Sequence, residues 1–157
     1  MYPKDVRVVE LNYPLNNHKF ARPAAAAALA AGKQGKFWEL HGLLFDNFKK
    51  LNDQLIVKLA SDVGLDMPQF ERDRRSQEIT NLINRDLTQA PKHGVRGTPA
   101  VFVNGKRLRN RSLEEISRVV DRELGRKQAT FSSKPAGPGS PSPRITPPDQ
   151  AVNAECG

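Results

Sequence analysis

Sulfur and imidazole groups carry much of the chemistry open to a short chain, and this one has few of either. Its 157 residues hold one cysteine, Cys156, and three histidines, His18, His41 and His93. Thiol–disulfide exchange needs one thiolate to attack a disulfide and a second thiol to resolve the mixed disulfide. One cysteine cannot complete that cycle, nor can it build an internal disulfide framework or a multi-cysteine zinc site. The histidines lack metal-ligand spacing. His41 falls on the apolar face of a helical pattern and reads as a hydrogen-bonded core residue, and structural roles are assigned to His18 and His93 as well. Cys156 reads as an inert exposed thiol near the free pKa of ~8.5, the alternatives being an intermolecular disulfide or a modification site. No catalytic residue, metal ligand or cofactor is assigned.

Composition narrows the class. The formal charge is +8 and the isoelectric point about 9.9, which permits a polyanionic partner without requiring one. Apolar residues make up 38% and the mean hydropathy is −0.59. No run approaches the ~20 apolar residues of a membrane-spanning helix. The start, Met1-Tyr2-Pro3-Lys4-Asp5-Val6, has no signal-peptide pattern. Six of the twelve prolines fall within 126–157, among Ser, Gly and Thr. Such a segment buries too little apolar surface to offset its ordering entropy and is expected to be a disordered tail. The domain is therefore assigned to 1–125.

The elements that must position any site follow from periodicity. Val6–Leu11 is β-branched and predicts a strand. Pro23 suits the first turn of an alanine-rich helix, with Gly32 suited to its C-terminal end. Phe37, Leu40, His41, Leu44, Phe45 and Phe48 recur at three and four residues and predict a helix over about 36–50. Asn52 can cap a helix carrying Leu55, Ile56, Leu59 and Val63, closed by Gly64. Asp66 with Gln69 forms a capping box before a short helix carrying Phe70. Ser76 caps a longer helix that Pro91 should kink or end. Ala100–Val103, Asn104-Gly105 and Lys106–Arg109 predict a hairpin. A second capping box, Ser112 with Glu115, opens a last helix expected to bury Leu113, Ile116, Val120 and Leu124 and to stop at Gly125. Strand, several helices, hairpin and helix imply a mixed α/β arrangement with a helical block between the strands.

The ordered motifs resemble the DsbA-like thiol–disulfide oxidoreductases. The resemblance rests on GVRGTPAVFVNG at 94–105, Pro14-Leu15 with His18, the alanine-rich helix, GKQGKFWELHGLLF at 32–45 and VGLDMPQF at 63–70. It implies a thioredoxin-like fold with a helical insertion at about 20–75 and a cis Thr98-Pro99 peptide. It also implies substrate binding at Gly97, Thr98 and Pro99, where the backbone before the proline pairs with an extended, cysteine-containing polypeptide. The family commonly works outside the cytoplasm; the compartment of this chain stays open.

The family's C-x-x-C motif and the strand before it have no counterpart in this sequence. The chain is therefore expected to be inactive in disulfide exchange as written. The missing strand would lie between Val6–Leu11 and Ala100–Val103, leaving edges open to self-association or to a strand-donating partner. Tyr2-Pro3-Lys4-Asp5 reads as mid-domain sequence, which favours a start assigned too late or a decayed gene. The alternative is a non-catalytic module that binds peptides or acidic partners. Gly32-Lys33-Gln34-Gly35 has the GxxG spacing of an RNA-clamping KH loop. More helices follow where a KH unit needs a strand, so nucleic acid is not assigned as a partner. Trp38 reads as packing. Arg72-Asp73-Arg74-Arg75 reads as a solvated helix end, and Lys106–Arg111 as a solvated edge strand.

Overall fold

The computed structural model describes residues 4–125; the proline-rich segment and Cys156 lie outside them. Within the described residues the chain forms two compact units, one of residues 8–96 and one of 4–7 with 97–125.

The larger unit is built around its alanines. Helix α1 (Ala21–Gly32) has Pro23 in its first turn, where a missing N–H costs nothing. Ala27, Ala30 and Ala31 are fully buried, and such short side chains let α1 touch four other helices. These are α2 (Phe37–Asp46), α3 (Asp53–Asp62), α4 (Met67–Arg74) and α5 (Gln77–Lys92). Leu40, Ile56, Phe70, Ile79 and Ile83 complete the core at 0–1% exposure.

Local chemistry sets the ends of these helices. Asn52 Oδ1 accepts from the Leu55 N–H at 2.9 Å and starts α3. Ser76 Oγ accepts from the Ile79 N–H at 3.3 Å and starts α5. Asp66 Oδ1 accepts from the Gln69 N–H at 2.8 Å, but the reciprocal half of the predicted box comes from elsewhere. Gln34 Oε1 takes the Asp66 N–H at 2.8 Å, and Gln34 Nε2 donates to the Asp66 carbonyl at 3.1 Å. The turn after α1 thus anchors the start of α4.

Several boundaries differ from expectation. Gly32 stays helical, and the left-handed residue that reverses the chain is Gly35, at φ +72°. The helix predicted over 36–50 ends at Asp46, because the Asn47 amide caps the Leu43 carbonyl at 2.8 Å; one 3-10 turn follows at Phe48–Lys50. Pro91 lies inside α5, one residue before its end at Lys92, and left-handed Gly94 then turns the chain. Proline is tolerated this late because the bond it forfeits belongs to a last turn already near termination.

The predicted strand Val6–Leu11 is absent, since no strand among the described residues pairs with it. Val8, Val9 and Leu11 are 56%, 65% and 66% exposed. The chain is pinned immediately afterwards: the backbone N–H and Nδ2 of Asn12 both donate to Asp86 Oδ2 of α5 at 3.0 Å.

Glu10 sits beside this junction with a buried Oε2 that has no hydrogen-bond partner. Burial, and then the Asp86 charge, push its carboxyl above the usual 4.5. A raised folded pKa means that folding favours the protonated acid, so this group's contribution worsens as pH rises through the raised value. E10Q is therefore expected to be more stable than the parent chain at about pH 7, with the gap closing below about pH 4. Urea midpoints followed by circular dichroism at both pH values check this; equal midpoints at neutral pH would contradict it.

The smaller unit holds β1 (Phe102–Val103), β2 (Lys106–Arg107) and α6 (Leu113–Glu123). The strands are antiparallel, Phe102 facing Arg107 and Val103 facing Lys106. Asn104 and Gly105 at φ +47° and +75° make the tight turn, as their types predict. The ladder is shorter than expected, although the Leu108 N–H still donates to the Val101 carbonyl at 2.8 Å. Ser112 Oγ caps α6 through the Glu115 N–H at 3.2 Å, whereas the Glu115 carboxylate pairs with Arg118 instead of closing the box. Leu113 and Leu124 were expected to be buried but are 77% and 36% exposed; Val119 and Val120 form the buried side of α6.

Candidate functional site

Gly97, Thr98 and Pro99 lead directly into the hairpin of the smaller unit. The Thr98-Pro99 peptide is cis, as the resemblance implied. Thr98 and Pro99 are exposed and Gly97 is half-buried. Among the described residues, neither the N–H nor the carbonyl of Thr98 has a hydrogen-bond partner. An exposed backbone donor and acceptor on one residue, next to a residue without an N–H, can accept one rung of a ladder from another chain.

The Pro99 carbonyl faces inward to its own unit. Arg111 Nη1 donates to it at 2.7 Å, which ties the loop to the segment beyond β2. Between them lies a surface pocket of about 470 Å³ lined by Pro99, Ala100, Arg107, Leu108, Arg109 and Arg111. Three arginines therefore line it, one of them bonded to the loop through its guanidinium. Lys106 is turned to another use: it and Asn104 Nδ2 both reach the Glu123 carboxylate of α6, at 3.2 and 3.0 Å. Lys106–Arg111 is thus more than the solvated edge expected from its charge, because part of it lines a pocket. β2 ends at Arg107 and the chain bends at Arg109, so the convergence of Arg107, Arg109 and Arg111 on one pocket is set by the fold and not by strand alternation.

The other motifs resolve into structure. The GxxG turn at 32–35 is occupied within its own unit: Lys33 Nζ lies 3.6 Å from Asp73, and Gln34 holds Asp66. The neighbouring Lys36 Nζ donates to the Val63 and Gly64 carbonyls at 2.7 and 2.8 Å. Trp38 packs edge-on against Phe37, as expected of a packing residue. Arg74 is no solvated end. Its side chain is 9% exposed, it binds Asp53 and Glu71, and its guanidinium lies 5.7 Å from the Phe70 ring centroid.

His41 also departs from expectation. It has no hydrogen-bond partner among the described residues and packs between rings, with Phe37 at 5.2 Å and Phe45 at 4.7 Å. Burial holds its imidazole below the usual value, which favours the neutral ring suited to that setting. Among the described residues no group of three or more histidines, cysteines or acids is placed to hold a metal ion. No helix among them is long and apolar enough to cross a membrane.

Comparison with known proteins adds four relations to this geometry. The DSBA-like thioredoxin domain family matches residues 5–120. A thioredoxin-like oxidoreductase of known structure from Silicibacter pomeroyi superposes with a TM-score of 0.62 at 29% identity, covering 74% of this chain and 67% of that one. The "Probable disulfide bond formation protein D" of Bacillus anthracis is 27% identical over 127 residues, which is 76% of this chain and 58% of that protein. The Na(+)/H(+) antiporter NhaA 3 of Salinispora tropica is 37% identical over 103 residues, 65% of this chain but 16% of the antiporter. The chain thus spans a small fraction of the antiporters it matches and just over half of the disulfide bond formation protein.

Proposed function

Because the chain belongs to the DSBA-like thioredoxin domain family, of thioredoxin-like fold with a helical insertion, we propose that Gly97, Thr98 and Pro99 hold extended cysteine-containing polypeptides for thiol–disulfide exchange. In this reading the 157 residues supply the peptide-holding part of the reaction and do not turn over by themselves, because they carry one cysteine. The observation that carries the reading is the exposed Thr98 backbone, whose N–H and carbonyl are without partners among the described residues. Arg111 supports the loop from the other side through the Pro99 carbonyl. A strand-donating partner is part of the same proposal, supported by the exposed Val8, Val9 and Leu11 beside an unpaired backbone.

The test is a titration of the ¹⁵N-labelled chain with a short extended peptide whose cysteine is replaced by serine. The Thr98 amide is expected to move downfield and to gain protection from exchange as it enters a ladder. Binding should be weak, with Kd on the order of 0.1–1 mM, since few rungs are available. Saturating binding that leaves the Thr98 amide unmoved would overturn the reading.

A further inference from the structure

The pocket beside Pro99 is lined by two arginines, Arg109 and Arg111, that pair with no carboxylate among the described residues. Among the described residues Arg109 makes no hydrogen bond or ion pair. Arg111 uses one N–H on the Pro99 carbonyl and, among the described residues, pairs with no carboxylate. A guanidinium has five N–H donors in a fixed fork, so four remain on Arg111 and all five on Arg109. Two acids of the same unit are committed elsewhere: Glu115 to Arg118, and Glu123 to Asn104 and Lys106. Arg107 lines the same pocket but is already engaged in an interaction of its own, so the available charge is that of Arg109 and Arg111.

We propose that Arg109 and Arg111 form a carboxylate subsite selecting extended polypeptides that carry an aspartate or glutamate near the segment held at Thr98. The proposal rests on the peptide-holding role of Gly97–Thr98–Pro99 and specifies which peptides are taken. The occupant is a polypeptide, because the pocket opens beside a backbone donor and acceptor that remain unpartnered. A carboxylate matches the guanidinium fork with two parallel hydrogen bonds, which a neutral amide cannot do. Leu108 and Ala100 complete the lining and offer apolar contact to the stem of a glutamate.

The experiment compares two capped peptides, identical except that one carries glutamates flanking the central serine and the other glutamines. Binding is read by fluorescence anisotropy at low ionic strength and by ¹⁵N spectra that resolve the Thr98 and Ala100 amides and the Nε–H groups of Arg109 and Arg111. The glutamate peptide is expected to bind about fivefold tighter, with the preference shrinking at high salt. R109Q, which breaks no bond among the described residues, is expected to bring the ratio of the two affinities close to one. R111K keeps the charge but loses the fork and should retain part of the preference.

The outcomes separate the two readings. A shift at Thr98 with equal affinity for both peptides overturns the subsite and leaves the peptide-holding role standing. Shifts at the two arginine Nε–H groups with Thr98 unmoved overturn that role and leave a carboxylate site. Silence at both positions overturns both. A preference for glutamate that survives in R109Q overturns the assignment to these arginines.

Discussion

Insulin mixed with dithiothreitol and the 157-residue chain is expected to precipitate no faster than insulin with dithiothreitol alone. The reason lies in electron and proton bookkeeping. Reducing one disulfide takes two thiols, and an efficient dithiol catalyst supplies both, one to attack and one to release the mixed disulfide; a monothiol leaves that release to dithiothreitol. A lone Cys156 can form the mixed species but holds no second thiol to resolve it. The rate should stay within about a factor of two of the blank, whereas working catalysts accelerate their reactions by many orders of magnitude. C156S should behave as the parent does. Acceleration far above the blank would end the reading of this chain as a peptide-holding part without turnover. The DSBA-like family membership would stand in either case, because it rests on the match over residues 5–120.

Replacing Phe70 by alanine is expected to have the largest effect on the fold. Phe70 is fully buried in α4 among Leu40, Ile56, Ile79 and Ile83, and its ring underlies the Arg74 guanidinium. Removing the ring forfeits its transfer energy and leaves a cavity, together about 3–5 kcal/mol. Lost cation–π contact with Arg74 adds to this. Domains of this size are stable by only about 5–15 kcal/mol, so F70A should be largely unfolded or have a sharply lowered urea midpoint. F70L fills most of the space and should cost about 1–2 kcal/mol. A loss below about 1 kcal/mol for F70A would mean that the core collapses around the gap, against the tight packing of α1 and α4.

What could be read beforehand was local. Asn52, Asp66, Ser76 and Ser112 were legible as caps because each acts on an N–H three residues away. Asn104-Gly105 was legible because its conformation is dictated by residue type. The thioredoxin-like fold and the cis Thr98-Pro99 peptide came from the order of motifs. What escaped was set by distant partners. Gln34 reaches Asp66 across 32 residues, and Asn12 reaches Asp86 across 74. Val6–Leu11 has the composition of a strand, but a strand also requires a neighbour, and none is present among the described residues. Leu113 repeats at helical spacing yet faces out, since a periodic pattern does not say how wide the buried stripe is. At the candidate site, Gly97, Thr98 and Pro99 are marked only by the resemblance, and the adjoining arginines stand in the sequence as an ordinary basic run.

The buried alanines of α1 also shape how this sequence can change over time. Ala27, Ala30 and Ala31 touch neighbours on a helix that four others pack against, so every larger side chain there must displace a whole helix. Shrinking to glycine forfeits only a methyl group and some helix propensity, about 1 kcal/mol each. Substitution at these positions is thus a one-way street: descendants can drift among the smallest residues, while most single-base changes to bulky ones are closed to them. The surface of the hairpin is under no such restriction.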